Sequence, residues 1–262
     1  MKRATKGIAL TIPDNRLFAA IDLPAAFGLL TRLPVPVDGA KATARGAAAV
    51  WAYPVVGMMI GGVQALALAV LLWLGIPAAI TAALVLALGI VLTGAMHEDG
   101  LADTTDGLWG GWDKARRLAI MKDSHIGTYG VIALALSLLL RWLGLVAIAG
   151  IGGSALALIV IGGLSRASMV GVMAALPHAR DTGLSRSVGR PAPPGAWVAI
   201  GLGAGLAVVT GYWALIVLAA LVALACAFIA RAKIGGQTGD ILGAVQQLTE
   251  IALLVAIAST LG

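Results

Sequence analysis

The chain contains few charged residues, few aromatic residues and almost no cysteine. Of its 262 residues, 11% are charged and 5% are aromatic, whereas 60% are hydrophobic and the mean hydropathy is +0.98. Such a low charge content is not typical of soluble globular domains. It indicates an integral membrane protein, whose first partner is the lipid bilayer, and no nucleic-acid partner is expected.

The only cysteine, Cys226, lies in an apolar run. A single cysteine excludes an intramolecular disulfide and a cysteine-based zinc cluster. The basic N-terminus contains no sustained apolar stretch and no cleavage pattern, so we expect no secretory signal peptide. A metal site in this chain must therefore use other ligands.

Apolar segments separated by turns that contain glycine or proline make up most of the chain. A membrane-spanning helix needs about 20 mostly apolar residues. The last two segments before the C-terminal one form a pair, for which one long tilted helix is the alternative. The fold class is therefore all-α, a polytopic membrane helical bundle. We predict seven spans, at residues 53–74, 78–95, 128–149, 154–176, 196–210, 213–230 and 241–261.

Residues 1–52 are polar and basic and precede the first predicted span. Within them, residues 17–30 are apolar, but they are too few to cross a bilayer, and Asp22 and Pro24 interrupt them. We predict a helix that lies at the membrane interface there. The chain then divides into a cytoplasmic N-terminal segment, residues 1–52, and a single transmembrane catalytic domain, residues 53–262.

Positive charge is confined to one set of connecting segments. The net charge is +6, and the turns at 75–77, 150–153 and 211–212 carry neither lysine nor arginine. With seven spans the charged segments all fall on one side, which the positive-inside rule makes cytoplasmic. An anionic substrate is a second interpretation of the charge. Sixteen of the eighteen Lys and Arg residues lie in four segments, residues 1–52, 96–127, 177–194 and 231–240.

Half of the twelve acidic residues lie within residues 96–130. Asp99, Asp103 and Asp106 are spaced i, i+4 and i+7, and at about 100° per residue on a helix they share a sector of roughly 60°. Like charges so placed repel, and residues 96–112 contain no Lys or Arg to offset them. Because Mg²⁺ is bound by carboxylates together with substrate phosphates, we predict that these three aspartates bind Mg²⁺. A solvated acidic loop is the alternative.

Polar side chains also occur inside the predicted spans. Arg141 and Arg166 lie there, and an ionisable residue within a membrane helix indicates a function by default. We predict that Arg166 contacts a substrate phosphate or pairs with an acid. Glu250 forms a polar stripe with Gln246 and Gln247, for which helix–helix hydrogen bonding is the alternative role.

The segment GGQTGD at residues 235–240 opens the last predicted helix. Glycines expose backbone N–H groups, and a helix N-terminus favours an anion. Asp240 is either a helix cap or a reactive group. In the preceding basic loop, Arg180 is a candidate for bidentate phosphate binding, with ordinary cytoplasmic positive charge as the alternative.

Several motifs recur in the order of a known family. They are LTRLPVP at 30–36, YPVVG at 53–57, HEDGLADTTDG at 97–107, RLAIMKDSHIGTYG at 117–130, Ser165-Arg166, and GGQTGD at 235–240 followed by Glu250. Together they resemble the cobalamin synthase family, the adenosylcobinamide-GDP ribazoletransferases. His125 departs from the pattern, since it stands where the family commonly has arginine.

The resemblance implies a Mg²⁺-dependent transferase of the bacterial inner membrane. Such an enzyme joins adenosylcobinamide-GDP to α-ribazole, or to its 5′-phosphate, and releases GMP. Because both reactants are anionic, positioning and charge neutralisation dominate the barrier. We predict catalytic roles for Asp240, Asp123 and Glu98. The predicted phosphate or substrate contacts are His97, Arg117, Lys122, His125, Arg166, Arg180, Gln237, Thr238 and Glu250.

Two other classes of function remain as alternatives. Asp103-x-x-Asp106-Gly107 resembles the opening of the CDP-alcohol phosphotransferase motif, although the Ala-Arg pair of that family is missing, and Asp-rich helices also occur in membrane prenyltransferases. A divalent-cation transporter would need acids near the bilayer midplane, where only Glu250 is expected. The apolar surface is compatible with a homo-oligomer but specifies no partner.

Overall fold

The computed structural model describes residues 16–150 and 155–261, and helices account for the regular structure of this part of the chain. The start of the basic N-terminus and most of the turn predicted at 150–153 lie outside these residues. The α-helices are α1 Asp22–Leu30, α2 Gly39–Arg45, α3 Tyr53–Trp73, α4 Ala78–Thr93, α5 Met96–Gly110, α6 Lys114–Ile120, α7 Thr128–Gly150, α8 Ala155–Ala175, α9 Leu184–Val188, α10 Pro193–Val209, α11 Ala214–Ile234 and α12 Gly239–Leu261, with a 3₁₀ helix at Gly46–Ala52.

All seven predicted spans are helical, and the fold class is confirmed. Five helices, α3, α7, α8, α11 and α12, are long and apolar enough to cross a membrane on their own. Helix α4 has 16 residues and joins α5 at an angle of 87°, so the bent pair counts as a sixth span when the two helices are taken together. Helix α10, with 17 residues, is shorter. It is separate from α11, as predicted.

The N-terminal helix begins at Asp22, later than the predicted start at residue 17. Arg45 donates to both carboxylate oxygens of Asp22 at 2.6 and 2.7 Å, and the indole N–H of Trp51 donates at 2.8 Å. Burial alone raises the pKa of Asp22, but these hydrogen bonds outweigh it and hold the pKa below its usual value. The bonds therefore fix the start of α1 against the following segment. Its position at a membrane interface stays a prediction.

Helices α3 and α8 pack with their backbones in direct contact. Gly57 and Gly61 are one helical turn apart on α3, and both face α8. A Cβ atom at Gly57 would overlap the carbonyl oxygen of Gly162, and a Cβ atom at Gly61 would overlap that of Leu158. Small residues at this spacing allow the close approach that stabilises helix pairs in membranes.

Replacing Gly57 with Ala is therefore expected to force α3 and α8 apart. Overpacking of this kind costs about 1–3 kcal/mol, which a thermal melt of the detergent-solubilised protein measures. Gly62→Ala is the matched control, because a Cβ atom there meets nothing within 4 Å and alanine favours a helix. Equal melting temperatures for the two variants would contradict the proposed contact.

The four charged segments meet at one end of the bundle. The backbone N–H of Arg32 donates to the carbonyl of Leu92 at 2.8 Å, which ties the N-terminal segment to the end of α4. Arg117 donates to the carbonyl of Lys233 at 3.1 Å, near the end of α11. Between α8 and α12, the backbone of Gln237 pairs with that of residues 177–179. The segments predicted to share one side are therefore in contact.

Candidate functional site

Helix α5 carries the acidic residues, and a sharp bend separates it from α4. Gly94 and Ala95 both adopt the left-handed conformation, with φ of 64° and 58°. For alanine this conformation costs about 1–2 kcal/mol, so the surrounding structure must impose it. The bend turns α5 by 87° relative to α4. The predicted helix over the acidic residues is confirmed.

Helix α5 crosses α12 at a pair of glycines. A Cβ atom at Gly100 would lie 2.9 Å from the carbonyl oxygen of Asp240, and one at Gly243 would lie 3.3 Å from the Cα atom of Gly100. This backbone approach brings Asp103, which is half-buried, and Asp99, which is exposed, to the start of α12. The charges of Asp99 and Asp240 both repel that of Asp103. We call Asp99, Asp103 and Asp240 the carboxylate cluster.

One arginine offsets the charge of the carboxylate cluster. Arg180 donates to Asp240 Oδ2 at 3.0 Å, and the hydroxyl of Thr238 donates to the same oxygen at 3.1 Å. Arg180 also attracts the charge of Asp103. Three carboxylates beside one guanidinium leave an excess of negative charge, and this excess favours a cation.

Asp106 points away from the carboxylate cluster. It is buried, and its two oxygens accept the backbone N–H groups of Gly127 at 2.7 Å and Gly130 at 2.8 Å. A Cβ atom at either glycine would collide with this carboxylate. The acid therefore caps the N-terminus of α7, where backbone N–H groups and the helix dipole favour negative charge. Its role as a metal ligand stays a prediction.

Replacing Asp106 with Asn is expected to destabilise the protein. The amide group would present N–H donors to one of the two backbone N–H groups and would remove the charge that favours the helix start. The expected loss is about 1–2 kcal/mol, measured as a lower melting temperature. An unchanged melting temperature would show that the cap contributes nothing.

Two glutamates and two arginines form an ionic network inside the bundle. Arg141 donates to Glu98 at 2.7 Å and to Glu250 at 3.0 Å, and Arg166 lies 3.5 Å from the second oxygen of Glu250. Gln246 donates to that same oxygen at 2.6 Å. All four charged side chains are buried. They belong to α5, α7, α8 and α12, which the network holds together.

This network differs from the roles predicted for three of its members. Glu98 is paired with Arg141 and is not in the carboxylate cluster. Arg166 is buried against Glu250, so the alternative role of Arg166, pairing with an acid, is the one that the structure shows. Arg141, at the centre, was assigned no role. An arginine in a membrane span was the only signal for it, because its partners lie 43 and 109 residues away.

Gln237 holds the 177–183 loop against the start of α12. Its side chain accepts from the hydroxyl of Ser185 at 2.5 Å and lies 3.0 Å from His178 Nδ1. Burial, together with the charges of the neighbouring arginines, lowers the pKa of His178, so the neutral ring accepts from the Gln237 amide. Gln237 and Thr238 are buried, and they position Arg180 and Asp240.

The remaining candidates lie on α6 and on the exposed loop before α7. Arg117 donates to the carbonyl of Lys233, and Lys122 is exposed. Asp123 and His125 form an exposed pair at 2.7 Å, which raises the pKa of His125 and lowers that of Asp123. In the contacts described, these residues engage one another or the backbone, and their predicted roles toward substrate stay predictions.

The carboxylate cluster has the donors that Mg²⁺ prefers. In the described part of the chain, no three His, Cys, Asp or Glu side chains converge closely enough to hold a metal ion by themselves. Mg²⁺ is usually held by one or two carboxylates plus substrate phosphates and water, so a complete protein cage is not required. The oxygen donors and the excess negative charge of the cluster fit such an ion.

An apolar cavity opens beside the carboxylate cluster. Its volume is about 190 Å³, and His97, Asp99, Arg180 and Asp240 contribute to its lining. A second cavity of about 530 Å³, between α1, α2 and α9, adjoins it, since the two share lining residues. The shared residues are Leu29, Tyr53, Leu184 and Val188. Charged groups thus meet an apolar recess at the end of the bundle where the charged segments gather.

Comparison with known proteins identifies the family. The family described as Cobalamin-5-phosphate synthase matches residues 22–258. A protein of Bradyrhizobium diazoefficiens named adenosylcobinamide-GDP ribazoletransferase is 46% identical over 246 residues, which cover 91% of this chain and 93% of that protein. Proteins of the same name from Sinorhizobium sp. and Azorhizobium caulinodans are 41% and 42% identical, each over about 90% or more of both chains. No solved structure matches the chain.

Proposed function

Because the chain belongs to the cobalamin-5-phosphate synthase family, we propose that it is a membrane-embedded adenosylcobinamide-GDP ribazoletransferase. The 3′-hydroxyl of α-ribazole, or of its 5′-phosphate, attacks the phosphorus on the cobinamide side of the pyrophosphate. A new oxygen–phosphorus bond forms, the bond to GMP breaks, and the hydroxyl proton passes to a base. The products are a cobalamin, or its 5′-phosphate, and GMP.

The observation that supports this assignment most directly is the carboxylate cluster beside Arg180 at the mouth of an apolar cavity. Phosphoryl transfer needs little covalent chemistry from the protein, which mainly positions the reactants and neutralises charge. Arg180 supplies a bidentate donor for a pyrophosphate oxygen. Asp240, half-buried and hydrogen-bonded to Arg180, is placed to accept the hydroxyl proton.

Asp99 and Asp103 are the residues that would hold Mg²⁺ together with the pyrophosphate oxygens. A bound Mg²⁺ would neutralise the charge that otherwise repels the two anionic reactants. The arrangement of the protein fits this role, because these carboxylates lie with Asp240 on one side of the α5–α12 crossing and only Arg180 offsets their charge.

We place the site at the cytoplasmic face of a bacterial inner membrane. The support is the gathering of sixteen of the eighteen Lys and Arg residues in segments that meet at this end, together with the positive-inside rule. The alternative of a cation transporter loses its main support, because Glu250 is neutralised by Arg141 and Arg166.

The test is product formation by the purified protein. With adenosylcobinamide-GDP, α-ribazole and Mg²⁺ we expect GMP and a cobalamin in equal amounts, followed by chromatography, and neither product when α-ribazole is omitted. A folded protein that forms neither product would overturn the transferase assignment. Full activity in the presence of a chelator, with the protein stripped of metal, would overturn only the role of Mg²⁺.

A further inference from the structure

The cavity of about 190 Å³ beside the carboxylate cluster has a volume suited to only part of a substrate. Binding sites for drug-sized ligands have volumes of about 300–1,000 Å³. A corrin ring with its side chains is larger than such a ligand and does not fit. A single bicyclic heterocycle does fit, and the proposed reaction brings two of them to the enzyme, the guanine of adenosylcobinamide-GDP and the benzimidazole of α-ribazole.

The lining of the cavity distinguishes between these two bases. Away from the charged mouth, the walls consist largely of Leu, Met and Tyr side chains, among them Tyr53, Met96, Met169, Met173 and Leu242. Guanine carries a carbonyl, an amino group and ring nitrogens along its edges, and each would lose its hydrogen bonds to water there without a partner. The dimethylbenzimidazole of α-ribazole exposes a hydrocarbon ring, two methyl groups and one free ring nitrogen. Methionine side chains adapt to such a ring.

One polar side chain in the lining matches that single nitrogen. His97 is 1% exposed, lines the cavity, and neither of its ring nitrogens has a hydrogen-bond partner among the described residues. A buried polar group without a partner is costly. A neutral imidazole carries one N–H donor, and the free benzimidazole nitrogen is an acceptor.

Building on the proposed function, we infer that this cavity is the subsite for the base of α-ribazole. The ring packs among the methionines, and His97 donates to its free nitrogen. The ribose then lies at the mouth, where its 3′-hydroxyl is next to Asp240 and Arg180. The same helix α5 thus carries both the base contact and the acidic residues of the reaction site.

The first test blocks the cavity from its rim. Leu184 is 50% exposed on α9 and lines the cavity, so Leu184→Trp changes the opening without disturbing the core. The matched control is Leu136→Trp on α7, where the leucine is 53% exposed and lines a different groove. We expect Leu184→Trp to weaken α-ribazole binding about tenfold or more by direct titration, with the KM for adenosylcobinamide-GDP unchanged. The control should leave both values unchanged.

The second test addresses His97. His97→Phe keeps a ring of similar size but removes the donor, and we expect the Kd and KM for α-ribazole to rise about tenfold. His97→Gln retains an N–H donor and should restore part of the loss. Among nucleosides of the same sugar, one with unsubstituted benzimidazole should bind the wild-type protein about tenfold more weakly than α-ribazole, because two buried methyl groups are lost.

The outcomes separate this inference from the function on which it rests. A protein that makes a cobalamin, but whose α-ribazole binding is unaffected by Leu184→Trp and His97→Phe, overturns the subsite and leaves the transferase assignment standing. An equal rise of both KM values also overturns the subsite. Absence of product from the folded wild-type protein overturns the function, whereas direct titration of α-ribazole still tests the cavity.

Discussion

Asp103→Asn is expected to reduce turnover about a hundredfold or more while the protein stays folded. The magnitude follows from losing one charged group that stabilises a developing phosphate charge. Asp103 is half-buried and is repelled by Asp99, Asp240 and Asp106. Removing its charge relieves that repulsion, so the melting temperature should stay the same or rise. A residue under electrostatic strain that is nonetheless required for activity has a functional role.

The measurement is GMP release at saturating Mg²⁺, with a melt of each variant. Asp113→Asn is the matched control, because Asp113 is exposed and caps α6 by accepting from the backbone of Arg116 at 2.9 Å. Asparagine caps helices about as well as aspartate, so the control should keep both activity and stability. Asp103→Asn with wild-type GMP release would remove Asp103 from the reaction site.

Asp103→Asn and Asp106→Asn are expected to have opposite profiles. The first should lose activity and keep stability, whereas the second should lose stability because its oxygens cap α7. The spacing of the acids in the sequence predicted the helix and the shared face, and both depend on local geometry. It could not predict which carboxylate turns toward the N–H groups of Gly127 and Gly130, because these are 21 and 24 residues away.

The same limit applies to the charges inside the bundle. Hydropathy located the helices that contain Arg141, Arg166 and Glu250, since each charge stands in an apolar run. The partner of each charge depends on how α5, α7, α8 and α12 cross, and those crossings are set by backbone contacts such as that between Gly100 and Gly243. A pattern of residue types along one chain contains no information on such distances, so the acids near Arg166 remained ambiguous between substrate and protein partners.

Arg141→Gln is expected to prevent stable folding. Arg141 donates to Glu98 at 2.7 Å and to Glu250 at 3.0 Å, and all three side chains are buried. Removing the arginine leaves two acids with Arg166 as the remaining cation of the network. Breaking a buried ion pair from one side costs about 3–5 kcal/mol, a large share of the 5–15 kcal/mol by which a typical protein is stable. We expect a large fall in melting temperature and in the yield of solubilised protein.

The double variant Glu98→Gln/Arg141→Gln tests the cause of that loss. It leaves Glu250 paired with Arg166, so the network is neutral again, and we expect most of the stability to return. If the double variant is no more stable than Arg141→Gln, packing of the arginine side chain rather than charge balance holds these helices together.

Activity of the refolded double variant then decides the role of Glu98. The structure pairs this glutamate with Arg141 and separates it from the carboxylate cluster, so a neutral network should support GMP release at close to the wild-type rate. A stable double variant without activity would instead restore the predicted catalytic role of Glu98. Because stability and turnover are measured on the same protein, loss of folding cannot be mistaken for loss of chemistry.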